Sequence, residues 1–362
     1  MKIGLIGLNQ TGKTSLFDLL TGKESAALAG GGKGTPNVGT GVVPDERIDF
    51  LSELCKPKKT TYAKIEFTDV AGFSTADKAR NSGAAKFLND VRPCDALVHV
   101  LRAFDSDSVI HSLGAVNPAR DLESVETEMM FADLEMIEKR IARINAGKKV
   151  TKEHTEEIEL LQRCFSQIEN GGSIKDMELP ESERIAIRGY SFLTEKPRLA
   201  VVNMDESQWM GSKSWPNKEA LQVLCTSLSI PLIELCVATE LEITRLPEDD
   251  RQLFMEDLGI EQSGISVLAR AEYRLLGLIS FMTIGSDEVR AWTIEDGTVA
   301  RVAAGKIHTD IERGFIRAEV VKFGDLRELG TMAKVKEKGL FKLEGKDYVV
   351  IDGDIINFRF NI

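Results

Sequence analysis

The stretch "KIGLIGLNQTGKTSLFDLL", Lys2 to Leu20, decides how the rest of the chain is read. An apolar run stops at Gly7 and Gly12-Lys13-Thr14 follow, so the segment matches G-x-x-x-x-G-K-[ST]. The run before it reads as a strand and "KTSLFDLLTG" after it as a helix, the setting this motif requires. Glycine at both ends lets the backbone curl and turn its N–H groups inward, toward phosphate oxygens. The helix N-terminus adds a positive dipole end. Lys13 is then expected to reach the β- and γ-phosphates, and Thr14 to offer its hydroxyl to Mg²⁺. Asn9, Gln10, Thr11, Gly12 and Ser15 complete the expected nucleotide loop.

Two further segments belong to the same reading. "AKIEFTDVAG" (Ala63 to Gly72) ends a strand with D-x-x-G, which places Asp69 near Mg²⁺ and the Gly72 amide near the γ-phosphate. Base recognition is expected at the end of "RLAVVNMD" (Arg198 to Asp205). A GTP-specific switch places N-K-x-D there, with the Asp accepting from guanine. This chain has Asn203-Met204-Asp205-Glu206, without the lysine and with Glu in the fourth position, which argues against strict guanine choice.

The 362 residues suffice for two or three domains. A net charge of −11 requires any nucleic-acid surface to be local. Five cysteines without a CxxC pair read as buried free thiols of a reducing compartment. The four histidines lack metal-ligand spacing; His99 reads as a core residue, and His308, in "GKIHTD", as a candidate for a partner surface. The chain starts on a strand-like run with no room for a signal peptide, and no stretch nears the ~20 apolar residues of a membrane span. The expectation is a soluble, cytoplasmic protein without membrane contact.

"KIGLIGL", "AKIEFTDVAG", "DALVHVLRAF" (Asp95 to Phe104), "RLAVVNMD" and "IPLIELCVA" (Ile230 to Ala238) read as strands. Alternating with helices, they imply a mainly parallel sheet covered on both faces. Between Asp121 and Gly189 the pattern changes. Met130, Leu134, Ile137, Ile141 and Ile144, then Ile158, Leu161, Phe165 and Ile168, predict two long antiparallel helices with a coiled-coil-like seam around Gly147. Lys139, Arg140, Arg143, Lys148, Lys149 and Lys152 gather toward the tip, either as a solvated helix end or as a contact for RNA phosphates. After about Ile279, "EVRAWTI", "FIRAEVVKF", "DYVVI" and "INFRFNI" alternate as strands of a small α+β unit. The glycine-rich "AGGGKGTPNVGTG" (Ala29 to Gly41) reads as a loop.

These segments together resemble the YchF / Obg-like ATPase family of Obg-related P-loop NTPases. "VVPDERIDFL", "FTDVAGF", "VNPARDLESVETEM", "IRGYSFLTEKP", N-x-x-E at Asn203 to Glu206 and the nearly continuous "EVRAWTI…AAGKIHTDIERGFIRAEVV…EGKDYVVIDGDIINFRFNI" carry the resemblance over essentially the whole length. It implies an α/β fold: a Ras-like P-loop G domain (1–120 and 190–278), an inserted α-helical coiled-coil domain (121–189) and a C-terminal β-grasp (TGS) domain (279–362). It also implies ATP preferred over GTP, with Asn203 and the Met204 backbone at the adenine and Glu206 beside them. A hydrophobic residue, Phe73, stands where other switches place a water-orienting Gln. The implied partners are the ribosome or a subunit, with RNA contacts through the helical tip and TGS domain, and the implied state is a monomer.

The chain also departs from that family. Gln10 replaces an asparagine that helps potassium-dependent relatives hold a monovalent cation, which leaves K⁺ dependence open. Lys33 falls where a switch threonine is expected, with Thr35 nearby, and Ser74 to Leu88 are mostly without the usual switch II glycines. The sequence therefore supports a slow P-loop ATPase with Lys13, Asp69 and Gly72 at the reacting phosphate. It leaves open a nucleotide-sensing ribosome- or RNA-binding module with little hydrolysis, and a structural protein with a relict phosphate loop.

Overall fold

The computed structural model describes residues 1–22, 36–70, 72, 83–106, 109–147, 151–211, 214–260 and 262–361. The strands are β1 (Lys2–Ile6), β2 (Asn37–Val42), β3 (Lys59–Thr61), β4 (Lys64–Asp69), β5 (Ala96–Arg102), β6 (Arg198–Asn203), β7 (Leu232–Leu235), β8 (Leu278–Thr283), β9 (Glu288–Glu295), β10 (Phe315–Lys322), β11 (Lys342–Glu344) and β12 (Asp354–Phe360). Helices α1 (Lys13–Thr21), α2 (Glu46–Cys55), α3 (Gly83–Val91), α4 (Pro118–Asn145), α5 (Lys152–Glu169), α6 (Glu181–Arg188), α7 (Glu206–Met210), α8 (Lys218–Ser227) and α9 (Val237–Arg245) lie among the first strands. Helices α10 (Glu248–Asp257), α11 (Gly264–Leu275), α12 (Ala300–Ile307), α13 (Thr309–Arg313), α14 (Phe323–Leu329) and α15 (Met332–Glu337) follow.

The chain divides into two compact units, one of residues 1–40 and 66–264, the other of 41–65 and 265–362. In the first, six strands lie in the order β2-β4-β1-β5-β6-β7. β1 is parallel to β4 and β5, β5 to β6, and β6 to β7. Every residue of β5 and β6 is buried, as a strand covered on both faces demands. A side chain at Gly4 would come within 3.1 Å of Cys94 and Leu97, so the covering layer approaches β1 backbone closely. Phosphate loops form at the carboxyl ends of such central strands, and β1 is flanked on both sides.

The expected helical hairpin is present. α4 starts with Asn117 capping the Arg120 amide and Pro118 in the first turn, two cheap ways of satisfying a helix start. α5 starts with a capping box between Thr151 and His154, which accounts for that histidine. Ile137, Leu160, Leu161, Cys164 and Ile168 fill the seam, with Leu134, Ile141 and Phe165 against them. The described basic residues toward the tip are largely compensated within the hairpin: Lys139 by Glu135, Arg140 by Glu157 and Lys152 by Glu156. Lys148 and Lys149 lie outside the described residues, as do Lys33, Thr35, Phe73 and residues 74–82.

The second unit is a mixed sheet of order β11-β10-β12-β8-β9-β3. α12 lies across it, its Ala300, Ala303 and Ala304 packed with Phe281, Ile294 and Phe358. Small residues let the helix sit close to the aromatic layer. Two sequence expectations need correction. "DYVVI" supplies only an isolated bridge, Val349 to Val299, because Tyr348 and Ile351 bond Asp354 across a turn instead of a neighbouring strand. Asn37 to Gly41, expected within a loop, belong to β2. Segment 41–65 also adds β3 parallel to β9 and ties itself in through Arg47, which bridges Asp45 and Asp352.

Candidate functional site

The loop after β1 is built from backbone that glycine tolerates and other residues resist. Gly7 has φ 142°, and a side chain there would lie 2.5 Å from the Val100 carbonyl. Gly12 has φ 95° and caps α1 without any side-chain hydrogen bond, so the first helical N–H groups keep their donor capacity. Gln10 also holds a left-handed φ of 63°, while Asn9, Gln10, Thr14 and Ser15 are exposed along the rim. Thr11 is buried and donates to the Leu8 carbonyl at 3.2 Å.

Lys13 is buried and curls back over the loop, donating from Nζ to the carbonyls of Leu8 at 2.6 Å and Gly7 at 3.3 Å. Burial lowers its pKa to about 8, although the Asp69 carboxylate opposes the shift. Across from it, Thr14 Oγ1 donates to Asp69 Oδ2 at 3.0 Å. Burial pushes the Asp69 carboxyl above its usual range, against the Thr14 bond, Lys13 and the Asn37 side chain, which favour the charged form. The other oxygen, Oδ1, is buried without a hydrogen bond of normal geometry. A hydroxyl, a buried carboxylate and an orphaned oxygen beside a triphosphate loop form an oxygen donor set suited to Mg²⁺.

Gly72 sits against the loop from the other side. A Cβ there would lie 2.2 Å from Asn9 Oδ1 and 2.7 Å from its Cα, so the D-x-x-G glycine follows from close backbone approach. The third strand end is tied into the frame of the loop. Asn203 Nδ2 donates to the Thr11 carbonyl at 3.0 Å, and Oδ1 accepts from Val237 N at 3.2 Å. The side chain thus ties the phosphate loop to the start of α9. Met204 is buried in the core, and its amide donates to the Leu235 carbonyl. Asp205 caps α7 in a reciprocal box with Gln208, which leaves Glu206 exposed at the first helical position.

Lys13, Thr14, Asp69, Gly72, Asn9 and Asn203 therefore converge, whereas the Met204 side chain turns into the core. The Val237 amide was not legible as part of this frame; its only signal was the start of a helix directly after a strand. His99, read as a core residue, is fully buried behind the loop with neither ring nitrogen bonded, and burial lowers its pKa to about 3. No group of three or more His, Cys, Asp or Glu side chains poised for a metal occurs among the described residues.

Comparisons with known proteins agree with this geometry. Residues 2–132 match the family described as 50S ribosome-binding GTPase. Residues 278–361 match the C-terminal YchF GTPase family, described as a protein of unknown function. The chain is 39% identical over 364 residues to the ribosome-binding ATPase YchF of Escherichia coli O157:H7, covering 100% of this chain and 99% of that one. It is 40% identical over 362 residues to the protein of that name from Bacillus subtilis, covering 99% of each. The structure of the Schizosaccharomyces pombe YchF GTPase superposes with a TM-score of 0.83 at 28% identity, over 99% of this chain and 97% of that one. With a phosphate loop at the head of β1 and this likeness along its whole length, the chain belongs to the YchF family.

Proposed function

We propose that this protein is a slow, Mg²⁺-dependent P-loop ATPase that prefers ATP to GTP and associates with the ribosome in the cytoplasm. The observation that carries the reading is the Thr14–Asp69 pair with its orphaned Oδ1, set opposite the buried ammonium of Lys13. Thr14 and Asp69 are the residues that would hold Mg²⁺, which when bound neutralises charge on the phosphate oxygens. The loop amides and the α1 N-terminus bind and orient the phosphates. Lys13 exchanges its carbonyl partners for phosphate oxygens and stabilises negative charge developing there. The Gly72 backbone, close to Asn9, faces the same end of the loop.

ATP preference is supported by the Asn203-Met204-Asp205-Glu206 run, which lacks the lysine of N-K-x-D and carries Glu206 where the guanine-reading Asp would stand. The ribosome enters through the names of the bacterial relatives. No described helix is long and apolar enough to cross a membrane. The reading is tested by phosphate release from Mg-ATP and Mg-GTP in potassium buffer. Release should be faster for ATP and fall at least a hundredfold in Lys13→Ala. Equal rates in the variant would sink the proposal; tight ATP binding without release would favour the sensor reading suggested by Lys33 and the altered switch II.

A further inference from the structure

Hydrolysis needs a group that holds the attacking water, and Phe73 brings no hydrogen-bonding side chain to the position where other switches carry a Gln. Around the phosphate loop most other polar side chains are already spent. Thr11 donates to the Leu8 carbonyl, Thr14 to Asp69, and Asn203 uses both ends of its amide. Lys13 is a cation held on the Gly7 and Leu8 carbonyls, placed to take phosphate oxygens in their stead. His99 is fully buried behind the loop, with Cδ2 3.5 Å from where a Gly7 side chain would begin, so it is closed to a water at the rim.

Asn9 differs from all of these. It is exposed, and its carboxamide has no hydrogen-bond partner among the described residues. Its place is nevertheless fixed. A Cβ built on Gly72 would lie 2.2 Å from Asn9 Oδ1, 2.7 Å from its Cα and 2.8 Å from its backbone N. All three of the nearest atoms there belong to Asn9 and none to Gln10, the other exposed amide of the loop. Gly72 is the D-x-x-G glycine, whose amide marks the γ-phosphate end of the loop. The Asn9 carboxamide therefore stands where that backbone meets the loop, open to solvent and with its hydrogen-bonding capacity intact.

We infer, resting on the ATPase reading above, that Asn9 is a further catalytic residue, whose side-chain oxygen accepts a hydrogen bond from the attacking water and aims it at the γ-phosphorus. An amide is too weak a base to keep a proton, so Asn9 orients and does not deprotonate. The water oxygen bonds to the γ-phosphorus as the bond from that phosphorus to the bridging oxygen breaks, with its electron pair leaving on ADP. The proton that water gives up passes to a γ-phosphate oxygen, and dihydrogen phosphate is released. The test is single-turnover hydrolysis of saturating Mg-ATP by the full-length protein, with affinity from a fluorescent-ATP titration, in wild type, Asn9→Ala, Asn9→Leu and Lys13→Ala. Both Asn9 variants should hydrolyse about tenfold to a hundredfold more slowly, with ATP affinity within about threefold, because a held water counts in the transition state and not in ATP binding. Leucine keeps nearly the shape of the carboxamide without its hydrogen bonds, so a spacer role would leave Asn9→Leu at the wild-type rate and overturn the inference. Asn9→Ala at the wild-type rate, or a loss of affinity with an unchanged rate at saturation, would also overturn it. In each of these cases wild-type hydrolysis above the Lys13→Ala background would leave the ATPase reading standing. Wild type at that background would overturn both.

Discussion

The two ends of one sheet edge behave in opposite ways. At the head of β1, backbone is held left-handed at Gln10 and Gly12, Lys13 is buried on carbonyls, and Asp69 Oδ1 has no hydrogen bond. At the heads of β6 and β7, Asn203 uses both ends of its amide, Met204 N is bonded, and Asp205 closes a capping box. The first end keeps its polar capacity for a ligand; the second is satisfied within the protein and serves as a frame. A buried polar atom without a partner costs about 1–3 kcal/mol, so the orphaned Asp69 Oδ1 beside the loop is an atom whose cost a bound ligand would return.

The contrast can be broken most severely at Gly12. Gly12→Ala places a Cβ 2.3 Å from Asn203 Nδ2 at φ 95°, and nucleotide binding should weaken about a hundredfold in a fluorescent-ATP titration. Asn203→Ala comes next. Loss of both ties should cost about 2–4 kcal/mol in denaturant unfolding and weaken ATP and GTP alike. A selective loss of ATP would mean that Asn203 reads the base directly and does not act as frame.

Smaller effects extend the comparison to buried titratable groups. Glu272, in the second unit, is fully buried with both oxygens unpartnered, and burial holds its pKa well above the carboxylate range. A raised carboxyl pKa gives stability below about pH 4.5 that is lost as pH rises. Glu272→Met should therefore raise stability by about 1–3 kcal/mol at pH 7 and much less near pH 4. His99 has the opposite sign. Its pKa falls from 6.5 to about 3, so its contribution is intact above pH 6.5 and is lost below it, by roughly 1.4 kcal/mol per pH unit. His99→Phe should flatten that acid limb in pH-dependent unfolding.

The phosphate end was legible in the sequence because its chemistry demands fixed residue types at fixed spacing: two glycines, Lys13 and Thr14 in one turn, then Asp69 and Gly72 at a strand end. The hairpin was legible from its apolar spacing. Asn203 was found, but its role as a tie was not, because Thr11 and Val237 lie far from it along the chain. β3 was missed for a similar reason. "KTT" has no alternating pattern, and its place is set by pairing with β9, more than two hundred residues later. Buried charges such as Glu126 with Arg198, or Asp133, read as surface residues until their partners are seen.

The central claim is that Asp69 and Thr14 form the unsatisfied half of a metal–triphosphate site. Its most direct test is the affinity for ATP with Mg²⁺ and with EDTA, in the wild type and in Asp69→Ala. Mg²⁺ should tighten binding at least tenfold in the wild type, and Asp69→Ala should remove this gain while keeping the metal-free affinity. Equal affinity with and without Mg²⁺, or a full Mg²⁺ effect in Asp69→Ala, would contradict it.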